Sequence, residues 1–166
     1  IKNSPKIVGD LRLYDFSPTS DGAVSMILSK DKVDNRSIKI LTSELATSDI
    51  SISQNTGLNF PAHKSAMKRA LKNANIKRKD LDLLELHDGY TIVELATFED
   101  LGFCKPGQAP SLIRKGYTRR DGKLPVNTDG GLKADGHAIG ATGLDQIYEI
   151  VTQLRGEAGE RQIDAK

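Results

Sequence analysis

Hydrophobic positions along the chain fall into two patterns, short continuous runs and stretches with helical spacing. The runs lie at 23–28, 38–43 and 81–86, and polar or turn-forming residues bound each of them, as is typical of buried strands. Spacing of i, i+3, i+4 and i+7 follows Pro61, at Met67, Ala70, Leu71 and Ala74. The alternation of these patterns predicts an α/β fold, with helices packed on a sheet.

Two helices in the middle of the chain are predicted from their end signals as well as from their spacing. The first has Asn59 as its cap, Pro61 in its first turn and Asn75 as its stop. The second covers 91–101 and ends at Gly102.

The remaining segments are predicted to be mostly irregular. Residues 1–22 and 48–59 are rich in turn-forming residues, with an irregular strand expected only at 50–52. The segment 103–126 carries repeated Pro and Gly and predicts a long loop with one helical turn near 111–115. A last amphipathic helix follows and ends near Gly156, with an apolar face formed by Leu144, Ile147, Ile150, Val151 and Leu154.

Composition excludes several classes of protein. The 166 residues are enough for one domain with its own core. A net charge of +2 is too small to indicate nucleic acid binding, and no apolar run reaches the roughly 18 residues that a membrane span needs. The single cysteine cannot form an internal disulfide, which fits a cytoplasmic protein. Because the sequence opens at Ile1 and stops without a closing pattern, we expect a piece of a longer polypeptide.

The stretch 127–143 is the strongest candidate for chemistry. It holds five of the fifteen glycines, and His137 lies in its middle, shortly before the last predicted helix. Glycines at that density let the backbone bend sharply and approach a ligand closely. A histidine at a helix N-terminus tends to stay neutral, so it can accept a proton or donate a hydrogen bond to an oxyanion. The alternative is a histidine that only binds loop backbone.

His87 is a second candidate, because it directly follows the apolar run 81–86 and precedes a predicted helix. Ligands bind at the carboxyl ends of strands in open α/β sheets. Its neighbour Asp88 is expected to cap that helix. His63 lies in the first turn of a surface helix and is expected to be solvated.

Cys104 is a conceivable nucleophile in a cysteine–histidine pair, but its surroundings contain nothing that lowers its pKa, which favours a structural thiol. The glycine spacing fits neither the dinucleotide fingerprint nor a P-loop. Three scattered histidines and one cysteine do not indicate a metal site.

Several motifs together resemble the thiolase family, in particular its sterol-carrier-protein type and its archaeal acetyl-CoA acetyltransferase-like members. The stretch 127–143 resembles the thiolase signature around a histidine. The sequence His87-Asp-Gly-Tyr90 resembles the His-Asp-Ala-Phe element of the sterol-carrier-protein type. Further ordered matches lie at 17–22, 99–104, 125–127 and 153–159.

The resemblance implies the C-terminal half of a layered α/β/α/β/α fold, with a mixed sheet flanked by helices. Residues 1–30 would be the end of the N-terminal thiolase domain, including its last strand. Residues 31–166 would be most of the C-terminal domain without its closing strands. A homo-oligomer, either dimer or tetramer, is expected for the intact protein.

The activity implied by the resemblance is acyl transfer between a cysteine thioester and CoA or acyl-CoA, which are substrates, with no bound cofactor and no metal. His137 corresponds to the base that activates the cysteine, and His87 to the residue that positions a water at the oxyanion hole. Ser17 corresponds to a serine near the pantetheine arm of CoA. The family's proline after the histidine is Ala138 here, which leaves the loop less rigid.

The family's nucleophilic cysteine lies upstream of Ile1, so the 166 residues alone are expected to be inactive. Two alternatives stay open at this point. One is a non-catalytic thiolase-like protein that binds acyl-CoA or lipid, or acts as a scaffold. The other is a cysteine hydrolase that uses Cys104 with His137.

Overall fold

The computed structural model describes residues 3–49, 51 and 59–166, and the strand predicted at 50–52 lies largely outside them. A short antiparallel hairpin comes first, formed by β1 (Lys6–Val8) and β2 (Leu11–Arg12). The helices are α1 (Pro61–Ala74), α2 (Thr91–Asp100), α3 (Ala109–Arg114), α4 (Leu132–Asp135) and α5 (Thr142–Leu154). No helix in these described ranges is long and apolar enough to cross a membrane.

Helix α1 begins and ends where its sequence signals predict. Pro61 occupies the first turn, where a missing backbone N–H has no effect on the helix. Asn75 ends it in the left-handed conformation, with φ of 55°. The cap is Phe60 rather than Asn59, and the Phe60 N–H donates to the carboxylate of Asp100 on α2. This bond joins the two helices at one end.

The hydrophobic core lies between α2, α3 and the segments that lead to the glycine-rich stretch. Its buried members are Leu86, Phe98, Ala109 and Leu124. Phe98 also stacks on the ring of Phe103, with 5.0 Å between ring centroids. The core therefore holds Leu86, one residue before His87, in a fixed place.

The three predicted strands are wrong as regular strands. Residues 23–28 and 38–43 form no strand, and most of their apolar side chains are exposed, with Ile27 at 96% and Ile40 at 58%. In 81–86 only Leu84 pairs, through a parallel bridge to Val126. A segment with high strand propensity becomes a regular strand only when a neighbouring strand supplies hydrogen-bond partners. None of the described residues provides that partner for the first two runs.

Helix α5 confirms the predicted position of the last helix, but its buried face is polar. Glu149 is 2% exposed and Gln153 1% exposed, whereas Ile147 on the apolar face is 37% exposed. These polar groups are buried because they satisfy one another: the Gln153 amide donates to Glu149 at 2.8 Å and to the hydroxyl of Thr128 at 3.1 Å. The network ties α5 to the start of the glycine-rich stretch.

Candidate functional site

The two candidate histidines lie against each other. The ring centroids of His87 and His137 are 4.9 Å apart, and the rings meet nearly edge to face at 79°. They are 50 positions apart in the sequence, so their contact depends on how the fold joins the segment after Leu86 to the glycine-rich stretch.

Gly89 makes room for the His87 ring. A Cβ added at Gly89 would lie 2.9 Å from Nε2 of His87, which is closer than real Cβ atoms approach ring atoms. An added Cβ would make the His87 ring shift by a few tenths of an ångström. The glycine of the His87-Asp-Gly-Tyr90 motif therefore lets the His87 ring lie close against its own backbone.

His137 is held by a side chain and by backbone. Its Nδ1 lies 2.7 Å from the hydroxyl of Thr142, the first residue of α5, and that hydroxyl donates to the carbonyl of Ala138 at 3.1 Å. Because the Thr142 hydroxyl donates its one proton to the carbonyl of Ala138, it accepts the Nδ1 proton of His137. Nε2 is then the ring atom left with a free lone pair, as a general base requires. The His137 N–H also donates to the carbonyl of Pro18 at 3.3 Å.

The segment around Ser17 passes beside both histidines. The Ser17 N–H donates to the carbonyl of Gly89 at 2.9 Å, and Phe16 forms an antiparallel bridge with Tyr90. A groove of about 470 Å³ opens next to it, lined by 20–24 and 138–141. Ser20 lines this groove, whereas Ser17 does not. The predicted contact of Ser17 with CoA stays a prediction.

Residues 45–166 match the protein family described as "Thiolase C-terminal domain-like". The chain belongs to this family.

Curated relatives of this thiolase chain carry two kinds of name. The acetyl-CoA acetyltransferase of Methanothermobacter thermautotrophicus is 39% identical over 99% of the chain. The acetyl-CoA acetyltransferase of Methanocaldococcus jannaschii is 39% identical over 100% of the chain. Human sterol carrier protein 2 is 36% identical over 96% of the chain. The chain spans 44%, 45% and 31% of these relatives, which is less than half of each.

A solved structure named "Ltp2-ChsH2(DUF35) aldolase" is similar to the thiolase chain with a TM-score of 0.71 over 95% of the chain and 43% of that structure. Its sequence identity is 22%, so the likeness concerns the fold alone. Together with the family match, it confirms the predicted fold class, the α/β fold of the thiolase C-terminal half. The domain boundary between residues 30 and 31 stays a prediction.

His87 is poised to remain neutral in this thiolase chain. Partial burial, with the neighbouring charge of His137, lowers the pKa of His87 below its ordinary value, and the Asp88 carboxylate opposes this effect only in part. A neutral imidazole keeps one N–H donor and one acceptor at neutral pH. It can therefore hold a water or an oxyanion without carrying charge.

Replacing His137 with alanine is expected to raise the pKa of His87, because it removes the neighbouring imidazole that contributes to lowering that pKa. The comparison is between the pKa of His87 in the wild type and its pKa in His137→Ala. An NMR titration of the imidazole resonances in chain 1–166 measures both values. An unchanged His87 pKa in His137→Ala would contradict the contact between the two rings.

Carboxyl groups cluster within the glycine-rich stretch and beside it. Burial, reinforced by the carboxylate of Asp129, raises the pKa of Glu85 to about 9. Burial and the same Asp129 raise the pKa of Asp135 to about 6. Glu85 accepts the N–H of Thr128 at 3.3 Å, so the support of the loop includes a carboxyl group that is protonated at neutral pH.

The protonated Glu85 makes stability depend on pH. Its pKa is higher in the folded than in the unfolded chain, so its contribution is complete below about 4.5 and is lost as the pH rises through about 9. Glu85→Gln copies the neutral form, and thermal melts across that range should show a smaller loss of stability than the wild type. The exposed Glu160→Gln is the control. If the melting temperatures of wild type and Glu85→Gln fell in parallel over this pH range, Glu85 would not be the cause of the pH dependence.

Cys104 does not join the site. It lies in the connection after α2 and packs against the hydrophobic core. Burial, with the nearby Glu99 carboxylate, raises the pKa of its thiol, so it is a weak nucleophile at neutral pH. No hydrogen bond links it to His87 or His137 in the described part of the chain.

Two other sequence-based expectations are wrong. Asp88 does not cap α2, whose cap is Tyr90, but is buried and accepts the N–H of Leu132 at 2.7 Å. His63 is half-buried rather than solvated, and its Nδ1 lies 3.4 Å from the hydroxyl of Thr97. Neither correction alters the position of the site. Through Leu132, Asp88 links the segment of His87 to the glycine-rich stretch.

Thr142, Ser20 and Asn127 also contribute to the site, and sequence reasoning missed them as functional residues. Thr142 contacts the His137 ring, Ser20 lines the groove, and Asn127 accepts the N–H of Leu86. Within the described ranges, no group of three or more His, Cys, Asp or Glu side chains is arranged to hold a metal ion.

Proposed function

We propose that this chain provides the histidine-bearing half of a thiolase active site. The whole protein would transfer an acetyl or longer acyl group between a cysteine thioester and CoA or acyl-CoA. The observation that carries the proposal is the contact of His87 with His137, whose Nδ1 is occupied by Thr142. Family membership and the acetyl-CoA acetyltransferase relatives support the same reaction class.

In the proposed reaction His137 acts as the base. Its Nε2 takes the proton of a cysteine thiol, and the thiolate attacks the carbonyl carbon of acyl-CoA. The carbon–sulfur bond to CoA breaks, and the proton that His137 took passes to the departing CoA sulfur. The acyl group remains on the cysteine as a thioester until CoA or a second acyl-CoA takes it.

His87 is proposed to stabilise the negative oxygen that forms during each attack. A neutral imidazole with a lowered pKa can donate one hydrogen bond to that oxygen, or to a water that contacts it. The groove lined by 20–24 and 138–141 reaches Ala138, the residue next to His137. This groove is where we place the arm of CoA that carries the reacting sulfur.

The nucleophile is proposed to come from the part of a thiolase that this chain does not span. Cys104 packs against the core with a raised pKa, which argues against it as the reacting thiol. We therefore expect chain 1–166 alone to show no thiolysis of acetoacetyl-CoA.

The test is a hybrid in which residues 1–166 replace the matching segment of the Methanothermobacter acetyl-CoA acetyltransferase. The proposal predicts that this hybrid cleaves acetoacetyl-CoA in the presence of CoA. The cleavage can be followed by the loss of acetoacetyl-CoA absorbance. A folded hybrid that binds CoA without cleaving acetoacetyl-CoA would refute the catalytic assignment.

A second candidate function is binding of acyl-CoA or lipid without turnover. The observation that favours it is the similarity to human sterol carrier protein 2 and to a Caenorhabditis elegans protein named non-specific lipid-transfer protein-like 2, which is 32% identical over 97% of the chain. In that case the same groove would hold the ligand, and His137→Ala would leave the affinity unchanged. Calorimetric titration of the hybrid with acyl-CoA measures this affinity.

A further inference from the structure

The segment that ends in His87 is joined to the start of the glycine-rich stretch by backbone pairing. The Leu84 N–H donates to the carbonyl of Pro125 at 3.0 Å, and the Asn127 N–H donates to the carbonyl of Leu84 at 3.0 Å. This is the hydrogen-bond pattern of two parallel strands. This backbone pairing ends at Asn127 and does not reach Leu86.

Asn127 continues the pairing with its side chain after its backbone has turned away. Its φ is 50°, in the left-handed region that asparagine tolerates better than most residues. The side-chain oxygen accepts the N–H of Leu86 at 2.8 Å, and the side-chain amide donates to the carbonyl of Leu86 at 3.1 Å. One amide side chain thus replaces both hydrogen bonds of a strand residue.

Asp88 makes the next connection. Its side chain is 1% exposed and accepts the N–H of Leu132, the first residue of α4, at 2.7 Å. The ammonium of Lys133 lies 3.8 Å from the other carboxylate oxygen and balances the buried charge. A Cβ at Gly131 would lie 2.7 Å from this carboxylate, so the loop and Asp88 are in close contact.

The two connections lie on either side of His87. Leu86 and Asp88 are buried, whereas His87 between them is exposed, which is the alternation of an extended segment. Because both inward-facing neighbours are bonded to the glycine-rich stretch, His87 has its backbone fixed on both sides. Its ring then projects outward, where it meets His137 of the same stretch.

We propose that Asn127 and Asp88 are positioning residues that set the distance between His87 and His137. The inference deepens the proposed function, on which its catalytic meaning rests. Neither residue touches the reacting atoms. Each acts by hydrogen bonds that hold the two histidine-bearing segments in one register.

The first test compares Asn127→Asp with Asn75→Asp in chain 1–166. Both asparagines have left-handed backbone, with φ of 50° and 55°, but Asn75 ends α1 away from the site. Asn127→Asp places a carboxylate oxygen against the carbonyl of Leu86 and should open that connection. We expect it to weaken the ring-to-ring nuclear Overhauser effect between His87 and His137 and to raise the pKa of His87, with Asn75→Asp unchanged.

The second test covers the possibility that Asn127→Asp unfolds the chain. Asp88→Ala removes the acceptor of Leu132, whereas Asp88→Asn keeps an acceptor oxygen. We expect loss of the histidine ring contact in Asp88→Ala and its recovery in Asp88→Asn. A ring contact that persists in folded Asn127→Asp or in folded Asp88→Ala overturns the proposal.

Kinetics of the hybrid separate this inference from the proposed function. Asn127→Asp should lower kcat by about 10- to 100-fold with little change in KM, as is typical when the support of a reacting group is lost. If the wild-type hybrid is inactive while the ring contact still responds to Asn127→Asp, the positioning stands and the proposed function fails. An unchanged kcat together with an unchanged ring contact removes the positioning role.

Discussion

His137→Ala is expected to lower kcat for acetoacetyl-CoA thiolysis by the hybrid by about 10²- to 10⁴-fold, the usual contribution of a general base. The free Nε2 would be lost, and the cysteine would have no acceptor for its proton. KM should change little, because the groove beside Ala138 keeps its lining. Steady-state kinetics with both substrates measure the two constants.

His63→Ala is the matched control for this change. It also removes a half-buried imidazole, but one that lies on α1 beside Phe60 and Thr97. We expect it to retain the kcat of the unmodified hybrid. If His137→Ala also retained that kcat, with the variant folded, His137 would not be the base.

Gly131→Ala is expected to destabilise the chain by about 2–5 kcal/mol, the combined cost of backbone strain and overpacking. The residue has φ of 66°, which L side chains rarely adopt. Its added Cβ would lie 2.7 Å from both the Asp88 carboxylate and the Asn127 side-chain nitrogen, and both groups are bonded and cannot move freely. Denaturant unfolding of chain 1–166 measures the free-energy change.

Gly140→Ala in the same stretch is the control. A Cβ at Gly140 meets nothing within 4 Å, and no positive φ opposes it. Its stability should stay close to that of the wild type. Equal destabilisation by both substitutions would mean that the stretch as a whole tolerates no side chains, and would contradict the specific contacts at Gly131.

The helices of this chain could be predicted from sequence because their signals are local. Pro61 and Asn75 mark the ends of α1 through backbone preferences of the residues themselves. The strands could not be predicted in the same way. The run 23–28 has strand composition, yet a strand exists only where another segment supplies hydrogen bonds, and among the described residues none does so there.

The position of the site could be predicted, but its construction could not. His87 stood out because it follows the apolar run 81–86 and precedes a predicted helix, and His137 because it lies in the glycine-rich stretch before another. The resemblance to thiolases gave each a role. Asn127 acts on Leu86 across 41 positions, and Asp88 on Leu132 across 44. Contacts over such separations leave no periodicity in the sequence, so only the fold reveals them.

The buried face of α5 is a further case where local patterning misleads. The sequence places Ile147 on the face that should pack inward, yet the buried positions are polar. Thr128 and Arg161, which lie outside the helix, supply the hydrogen bonds that make Glu149 tolerable there. Hydrophobic periodicity within a helix does not reveal hydrogen-bond partners that lie elsewhere in the chain.

The most direct test of the account is to locate the acyl group during turnover. The hybrid is incubated with acetyl-CoA, quenched, digested and examined by mass spectrometry. We predict one acetyl group on a cysteine of the Methanothermobacter portion, absent in His137→Ala and never on Cys104. Acetylation of Cys104 would contradict the claim that His137 activates a thiol from outside this chain. So would acetylation of the Methanothermobacter cysteine in His137→Ala at the same rate as in the unmodified hybrid.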